Sequence, residues 1–245
     1  MDFLRTLLPE SVRPIGYLQN LVLRRTGQQV RSGMFKGVTY TSASQGSAFI
    51  PKLLGIYEKE LTNAVESIIA TQPDRIFNIG AGEGYYAVGM ACRLPNTQVI
   101  AYELTERGRR LTCDMASKNG VESRVDVRGA CEPDDLAREL RPQDIIICDV
   151  EGYEKKLLNP ARIPALESVT VLVELHDFIH RGIADEIRAR FDSTHEIACI
   201  RSKERSRNEF PYQTLYTRLL PSSYLDWAVS EWRPEQMSWF YMTPQ

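Results

Sequence analysis

Between residue 60 and the C-terminus, short apolar runs alternate with helix-like stretches, and few folds accommodate that order. "DRIFNIG", "TQVIAYEL", "SRVDVRGA", "DIIICDV", "VTVLVELHD", "HEIACI" and "MSWFYMTPQ" read as seven strands. "KELTNAVESIIA" sets Leu61, Val65, Ile68 and Ile69 on one helical face, and "TERGRRLTCDMASKNG" ends in an Asn-Gly stop. "PDDLAREL" is a short helix, and "HRGIADEIRARF" repeats Ile179, Ile183, Ile187 and Phe191 at every fourth position. Strand and helix in regular succession predict a Rossmann-like, doubly wound α/β domain: a mostly parallel seven-stranded sheet with helices on both faces.

Residues 45–245 are expected to form that domain, with 1–44 an N-terminal helical and loop appendage that either packs on the domain as one or two helices or serves as a lid or loose membrane contact. Its first 36 residues carry Arg5, Arg13, Arg24, Arg25, Arg31 and Lys36 against Asp2 and Glu10. The "SASQGSAF" loop and Lys52 are expected either to close over a site or to lie on the surface. His180 is expected to open a helix and His195 to sit on an edge strand, with Trp227, Trp232, Trp239 and Tyr241 as packing around the last helix and strand. Specificity is expected in the appendage and in residues 201–236.

Composition narrows the partners. A net charge of -2 gives no long-range attraction to nucleic acid. No run of about 18 apolar residues exists, so neither a signal peptide nor a membrane span is expected. Cys92, Cys113, Cys131, Cys148 and Cys199 show no CxxC pairing, which suits a reducing cytoplasm and small core residues rather than zinc or disulfides.

"NIGAGEG", residues 78–84, then places Gly80, Gly82 and Gly84 between a strand and a helix, where backbone can approach a nucleotide-like ligand. Glu103, at the end of the next strand, follows at about the 20-residue interval of an acidic group that accepts ribose hydroxyls. The dinucleotide fingerprint needs its third glycine where Tyr85 stands, which weakens an NAD-type oxidoreductase. Glu83 within the turn disfavours a pyrophosphate. S-adenosylmethionine (SAM) has ribose, adenine and a sulfonium but no phosphate, and it satisfies both constraints.

On these residues the chain resembles the class I SAM-dependent methyltransferases, with Asn78 where an acidic residue is more usual. "DVEGYE" at 149–154, "VELHDF" at 173–178 and "GIYEKEL", with Tyr57 and Glu58, resemble the FkbM-type family over residues 55–178. The resemblance implies SAM as methyl donor, S-adenosylhomocysteine (SAH) as product, and O-methylation of a sugar or secondary metabolite. It places Gly80 and Gly82 along the methionine portion, Glu103 on the ribose, and Leu104, Cys131 and Glu132 near the adenine, with Tyr57, Glu58, Asn78, Gly84 and Asp149 completing the donor site.

Methyl transfer to a hydroxyl also needs a proton acceptor. Glu174 and His176 share a strand face and are expected beside Asp149 and Glu151. His176, or failing it Asp149, is the expected base, with Glu151 and Glu174 orienting it or binding the acceptor. The competing reading is structural: these groups tie strand ends to nearby loops. A divalent ion on the same four residues stands second, because no metal-specific spacing accompanies them. A SAM-binding module without catalysis is the remaining alternative. A nucleic-acid amino-methyltransferase is disfavoured, because the strand end reads "DVEG" and not Asn/Asp-Pro-Pro-aromatic.

Overall fold

The computed structural model describes residues 13–41 and 48–245. Arg5, Asp2, Glu10 and residues 42–47 of the "SASQGSAF" loop lie outside the described residues.

Seven strands form one sheet: β1 (Arg75–Ile79), β2 (Gln98–Tyr102), β3 (Val125–Arg128), β4 (Ile145–Cys148), β5 (Thr170–Leu175), β6 (His195–Arg201) and β7 (Ser238–Pro244). Their order is β3-β2-β1-β4-β5-β7-β6. β7 runs antiparallel to both β5 and β6, whereas the pairs among β1 to β5 are parallel. This is the predicted doubly wound architecture. Its order reverses between β1 and β4, which opens a crevice at their carboxyl ends.

Alternation along the strands builds two apolar layers. Ile76, Val99, Ile145, Leu172 and Trp239 face one layer, where they meet α1 (Pro14–Thr26), α2 (Phe49–Leu54), α3 (Thr62–Ala70), α4 (Tyr85–Arg93), α5 (Glu106–Lys118) and α10 (Ser222–Val229). Phe77, Ile100, Ile146, Val171 and Phe240 face the other, against α6 (Pro133–Glu139), α7 (Glu154–Leu157) and α8 (Ile183–Phe191). The remaining α-helix among the described residues, α9 (Leu215–Leu219), lies at the surface with Leu215 and Leu219 exposed. Each fully buried Leu, Ile or Phe contributes roughly 1.5–3 kcal/mol. Leu18, Val22, Phe35 and Tyr40 belong to the first layer, so residues 13–41 share the domain's core.

Helix ends follow local chemistry. Thr105 accepts from Gly108 N at 3.1 Å and starts α5, which stops at Asn119 as the sequence predicts. Pro133 and a Glu132–Asp135 capping box start α6. The helix after β5 starts at Ile183, later than expected. Asp177 Oδ1 takes the Gly182 and Ala184 N–H groups at 3.0 and 3.3 Å, which leaves Ile179 and His180 in a turn before the helix. His195 lies on the edge strand, as predicted, and is buried against Val169 O at 2.9 Å. Cys131 and Cys148 are buried, but Cys92, Cys113 and Cys199 are exposed, which corrects the expectation of five core cysteines. Among the described residues, no helix is long and apolar enough to cross a membrane.

Candidate active site

The turn after β1 is built by the sheet itself. Gly80 N and Ala81 N both donate to Tyr102 O at 2.9 Å, which bends the chain off β1 across the end of β2. Gly80, at φ 83°, runs against β4: a Cβ there would lie 1.6 Å from Asp149 O. The glycine is therefore required by the protein's own backbone, whatever the turn also does for a ligand. Gly82 N donates to Glu103 Oε2 at 2.9 Å, while Thr105 N and Oγ1 donate to Glu103 Oε1 at 2.8 and 2.6 Å. Glu103 thus stands at the end of β2 with its carboxylate drawn onto the glycine turn.

Glu83 is buried and turns to Lys52 and Tyr40 Oη, both within hydrogen-bond reach. Its charge is met inside the protein, which corrects the argument that Glu83 repels a pyrophosphate. Burial, followed by the Glu83 charge, pushes the Tyr40 phenol well above its ordinary pKa.

Beneath the turn, at the carboxyl ends of β1, β4 and β5, lies a cavity of about 320 Å³. It brings together Tyr57, Glu58, Asn78, Gly80, Gly82, Glu103, Asp149, Glu151, Glu174 and His176 from the sequence-based site. Gly84, Leu104, Cys131 and Glu132 do not line it. Gly84 packs on Thr112, Leu104 is exposed, and Cys131 is buried with its thiol raised to about 12, chiefly by burial. Glu132 accepts from Tyr153 Oη at 2.7 Å and Lys156 Nζ at 3.3 Å on the surface.

Two polar groups divide the cavity. One surrounds Arg233, which pairs with Glu58 at 2.7 Å, Glu231 at 3.0 Å and Glu174. Its guanidinium lies 4.7 Å from the Trp239 ring. Tyr86 Oη donates to Glu58 Oε2 at 2.5 Å, so Glu58 is a bridging group and not a first-turn helix charge. Burial, then Asp149 and Glu58, raise the Glu174 carboxyl well above the usual range despite Arg233.

The other group surrounds His176, whose side chain is 3% exposed. Its Nδ1 lies 2.5 Å from Glu154 Oε1, and its Nε2 lies 3.5 Å from Asp149 Oδ1 and 3.6 Å from Glu151 Oε2. Burial lowers the His176 pKa, but the Glu154 hydrogen bond and the charges of Asp149, Glu154 and Glu151 outweigh it and raise the net value. Asp149 is raised to about 6, chiefly by burial, with His176 opposing. Its side chain keeps 44% of its surface beside the cavity, yet Oδ1 is sealed and has no hydrogen-bond partner among the described residues. Asn78 Oδ1 is likewise unpartnered, with Nδ2 donating to Ile147 O at 3.3 Å.

Asp149, Glu151 and His176 each offer a ligand atom within 4.8 Å of the others, so three of the four residues considered for a divalent ion converge. Glu174 is engaged by Arg233 instead. Trp239 is buried in β7, whereas Trp232 is 55% exposed at the cavity rim with φ 60°. Sequence reasoning missed Arg233, Glu231 and the role of Glu154. Only Glu154 carried a signal, as the last residue of "DVEGYE".

No family model matches the chain. A 64-residue stretch, 26% of the chain, is 28% identical to part of the bifunctional methyltransferase of Rickettsia prowazekii (strain Madrid E), and it spans 12% of that relative's length. The O-methyltransferase TomG from Streptomyces achromogenes, involved in tomaymycin synthesis and solved in complex with SAM, superposes with a TM-score of 0.51 at 12% identity over 98% of this chain and 94% of that one. An O-methyltransferase from Bacillus cereus in complex with SAH gives 0.50 at 11% identity, over 98% and 94%. At such identities the likeness is one of fold: the chain has the Rossmann-like fold of the SAM-dependent methyltransferases.

Proposed function

We propose that this protein is a SAM-dependent methyltransferase of the FkbM type it resembles, acting in the cytoplasm on a hydroxyl oxygen of a small metabolite or sugar. The observation that carries the reading is one cavity shared by the glycine turn, Glu103 and the His176 cluster.

The residues present fit SAM. The carboxylates of Asp149, Glu151 and Glu103 all line the cavity, which favours a ligand with positive charge and hydrogen-bond donors. An NAD-type ligand would bring a pyrophosphate toward Asp149 and Glu151, which among the described residues pair with no basic side chain other than His176. Glu103 would hold the ribose hydroxyls, and the Gly80–Gly82 backbone, with Tyr57, Glu58 and Asn78, the methionine portion. Gly84 would start the turn's helix, while Leu104, Cys131 and Glu132 would border the adenine.

When bound, SAM supplies an electrophilic methyl group, and its transfer leaves the former C–S electron pair on sulfur as SAH. The protein's share is alignment, exclusion of water and removal of the acceptor's proton. His176 Nε2 is the proposed proton acceptor, with Asp149 the second candidate. Asp149 and Glu151 stabilise the imidazolium, and Glu174 orients the acceptor from its pairing with Arg233. A donor-binding module without turnover is the alternative that activity must exclude.

Calorimetric titration with SAM, SAH and NADH tests the donor. Binding of the two adenosyl ligands, lost in a folded Glu103→Ala variant, is expected; binding of NADH alone would overturn the reading in favour of an oxidoreductase. Full turnover and donor binding in His176→Ala would remove the base assignment.

A further inference from the structure

Glu154 has no part in the roles assigned so far, yet it is the most deeply buried carboxylate of the site, at 0% exposure. It begins the four-residue helix α7. Its Oε1 meets His176 Nδ1 at 2.5 Å and Gly152 N at 3.2 Å, and its Oε2 is sealed with no partner among the described residues. A buried carboxylate is costly unless a charge or a strong donor faces it. The only side chain with which it forms a hydrogen bond among the described residues is His176.

The backbone enforces this meeting. Gly152 has φ 99°, and a Cβ there would lie 3.1 Å from His180 Cδ2 and 3.2 Å from Ile179 Cγ2. The absent side chain lets the 149–154 turn close onto the turn after β5, which holds Glu154 and His176 in register. We propose that Glu154 is the positioning residue of the base: it accepts a hydrogen bond from His176 Nδ1–H, fixes that tautomer and leaves the Nε2 lone pair facing the cavity.

What Nε2 then does rests on the methyltransferase reading; the tautomer does not. The acceptor hydroxyl gives its proton to Nε2 as its oxygen takes the methyl group, the Nδ1 proton stays in its hydrogen bond to Glu154, and the imidazolium later releases the Nε2 proton to solvent. Three carboxylates face that imidazolium: Asp149 and Glu151 at Nε2, and Glu154 at Nδ1. Glu58 and Arg233 act in turn on Asp149. A neutral amine attacks with its own lone pair and sheds its proton afterwards. A base held this way therefore points to a hydroxyl acceptor.

Nitrogen NMR of histidine-labelled protein tests the pairing, with His176 assigned by comparison with His176→Asn. Wild-type protein is expected to show the neutral ring as the Nδ1–H tautomer and a pKa above the ordinary 6.5 or so. Glu154→Gln keeps an acceptor oxygen but loses the charge, and should lower that pKa by about one unit, a tenfold loss of proton affinity. Glu154→Leu should abolish the tautomer preference. Calorimetric SAM affinity is expected to stay within about 3-fold in both variants, since Glu154 does not line the donor cavity. An Nε2–H tautomer in wild-type protein, or an unchanged titration in folded Glu154→Gln, would overturn the proposal. Should the variants fail to fold, the wild-type tautomer alone decides it. Absence of SAM binding in wild-type protein overturns the methyltransferase reading separately, with the tautomer still deciding the pairing.

Discussion

Gly80 lies against the carbonyl of Asp149 with no room between them for even a methyl group. The donor turn after β1 and the proposed acceptor edge after β4 are thereby one rigid unit, joined also by Asp149 N donating to Ile79 O at 2.9 Å. Gly80→Ala must relieve both a left-handed φ and a backbone collision, so it should displace the turn as well as destabilise the fold, by more than the roughly 1–2 kcal/mol of the conformational term alone. The checks are chemical denaturation and SAM titration. A variant with wild-type stability and affinity would show that the turn is not fixed in this way.

Asp149 gives a pH signature. Its pKa in the folded protein, about 6, is above the unfolded value near 3.9, so between those limits the native state binds more protons. Stability from this group is therefore greatest below the unfolded pKa and declines as pH rises through 6. The raised His176 acts in the same direction at higher pH, its contribution being complete below about 6.5 and lost as pH rises through its folded value. The gain in melting temperature of Asp149→Asn over wild-type protein should grow from pH 4 to pH 6. A difference that is flat or shrinks across that window would refute the assignment.

Arg233 should be the site's main structural cation. Arg233→Met leaves Glu58 and Glu174 facing one another in a buried cavity, with Glu231 still held by Arg205, an expected loss of about 3–5 kcal/mol at pH 7. Arg233→Lys restores charge but not the forked geometry, and should fall between. The deficit of the Met variant should shrink on acidification, because burial and like charge already raise Glu174. Urea unfolding at pH 5 and pH 7 measures both effects. A Met variant within about 1 kcal/mol of wild type would rule out this role.

Local pattern made much of this molecule legible. Period-two and period-3.6 apolar spacing, the Asn-Gly stop at Asn119 and the Pro133 start depend on neighbours in sequence, and they led to seven strands and a doubly wound sheet. Glu103, Asp149, Glu174 and His176 were readable because in such a sheet the strand ends converge on one crevice. The start of α8 is not legible in the sequence, because a four-residue apolar repeat continues through Ile179 while Asp177 chooses where the first turn is capped.

What the chain alone determined, then, is the alternation of elements and the residues at their ends, since both follow from covalent neighbours and helical or strand geometry. The tertiary structure decided which distant charges meet. Lys52 reaches Glu83 across 31 residues, Arg233 reaches Glu58 across 175, and Glu154 reaches His176 across 22. Carboxylates at strand ends look alike in sequence; burial and partner distance give each its charge, and neither is defined until the sheet is assembled.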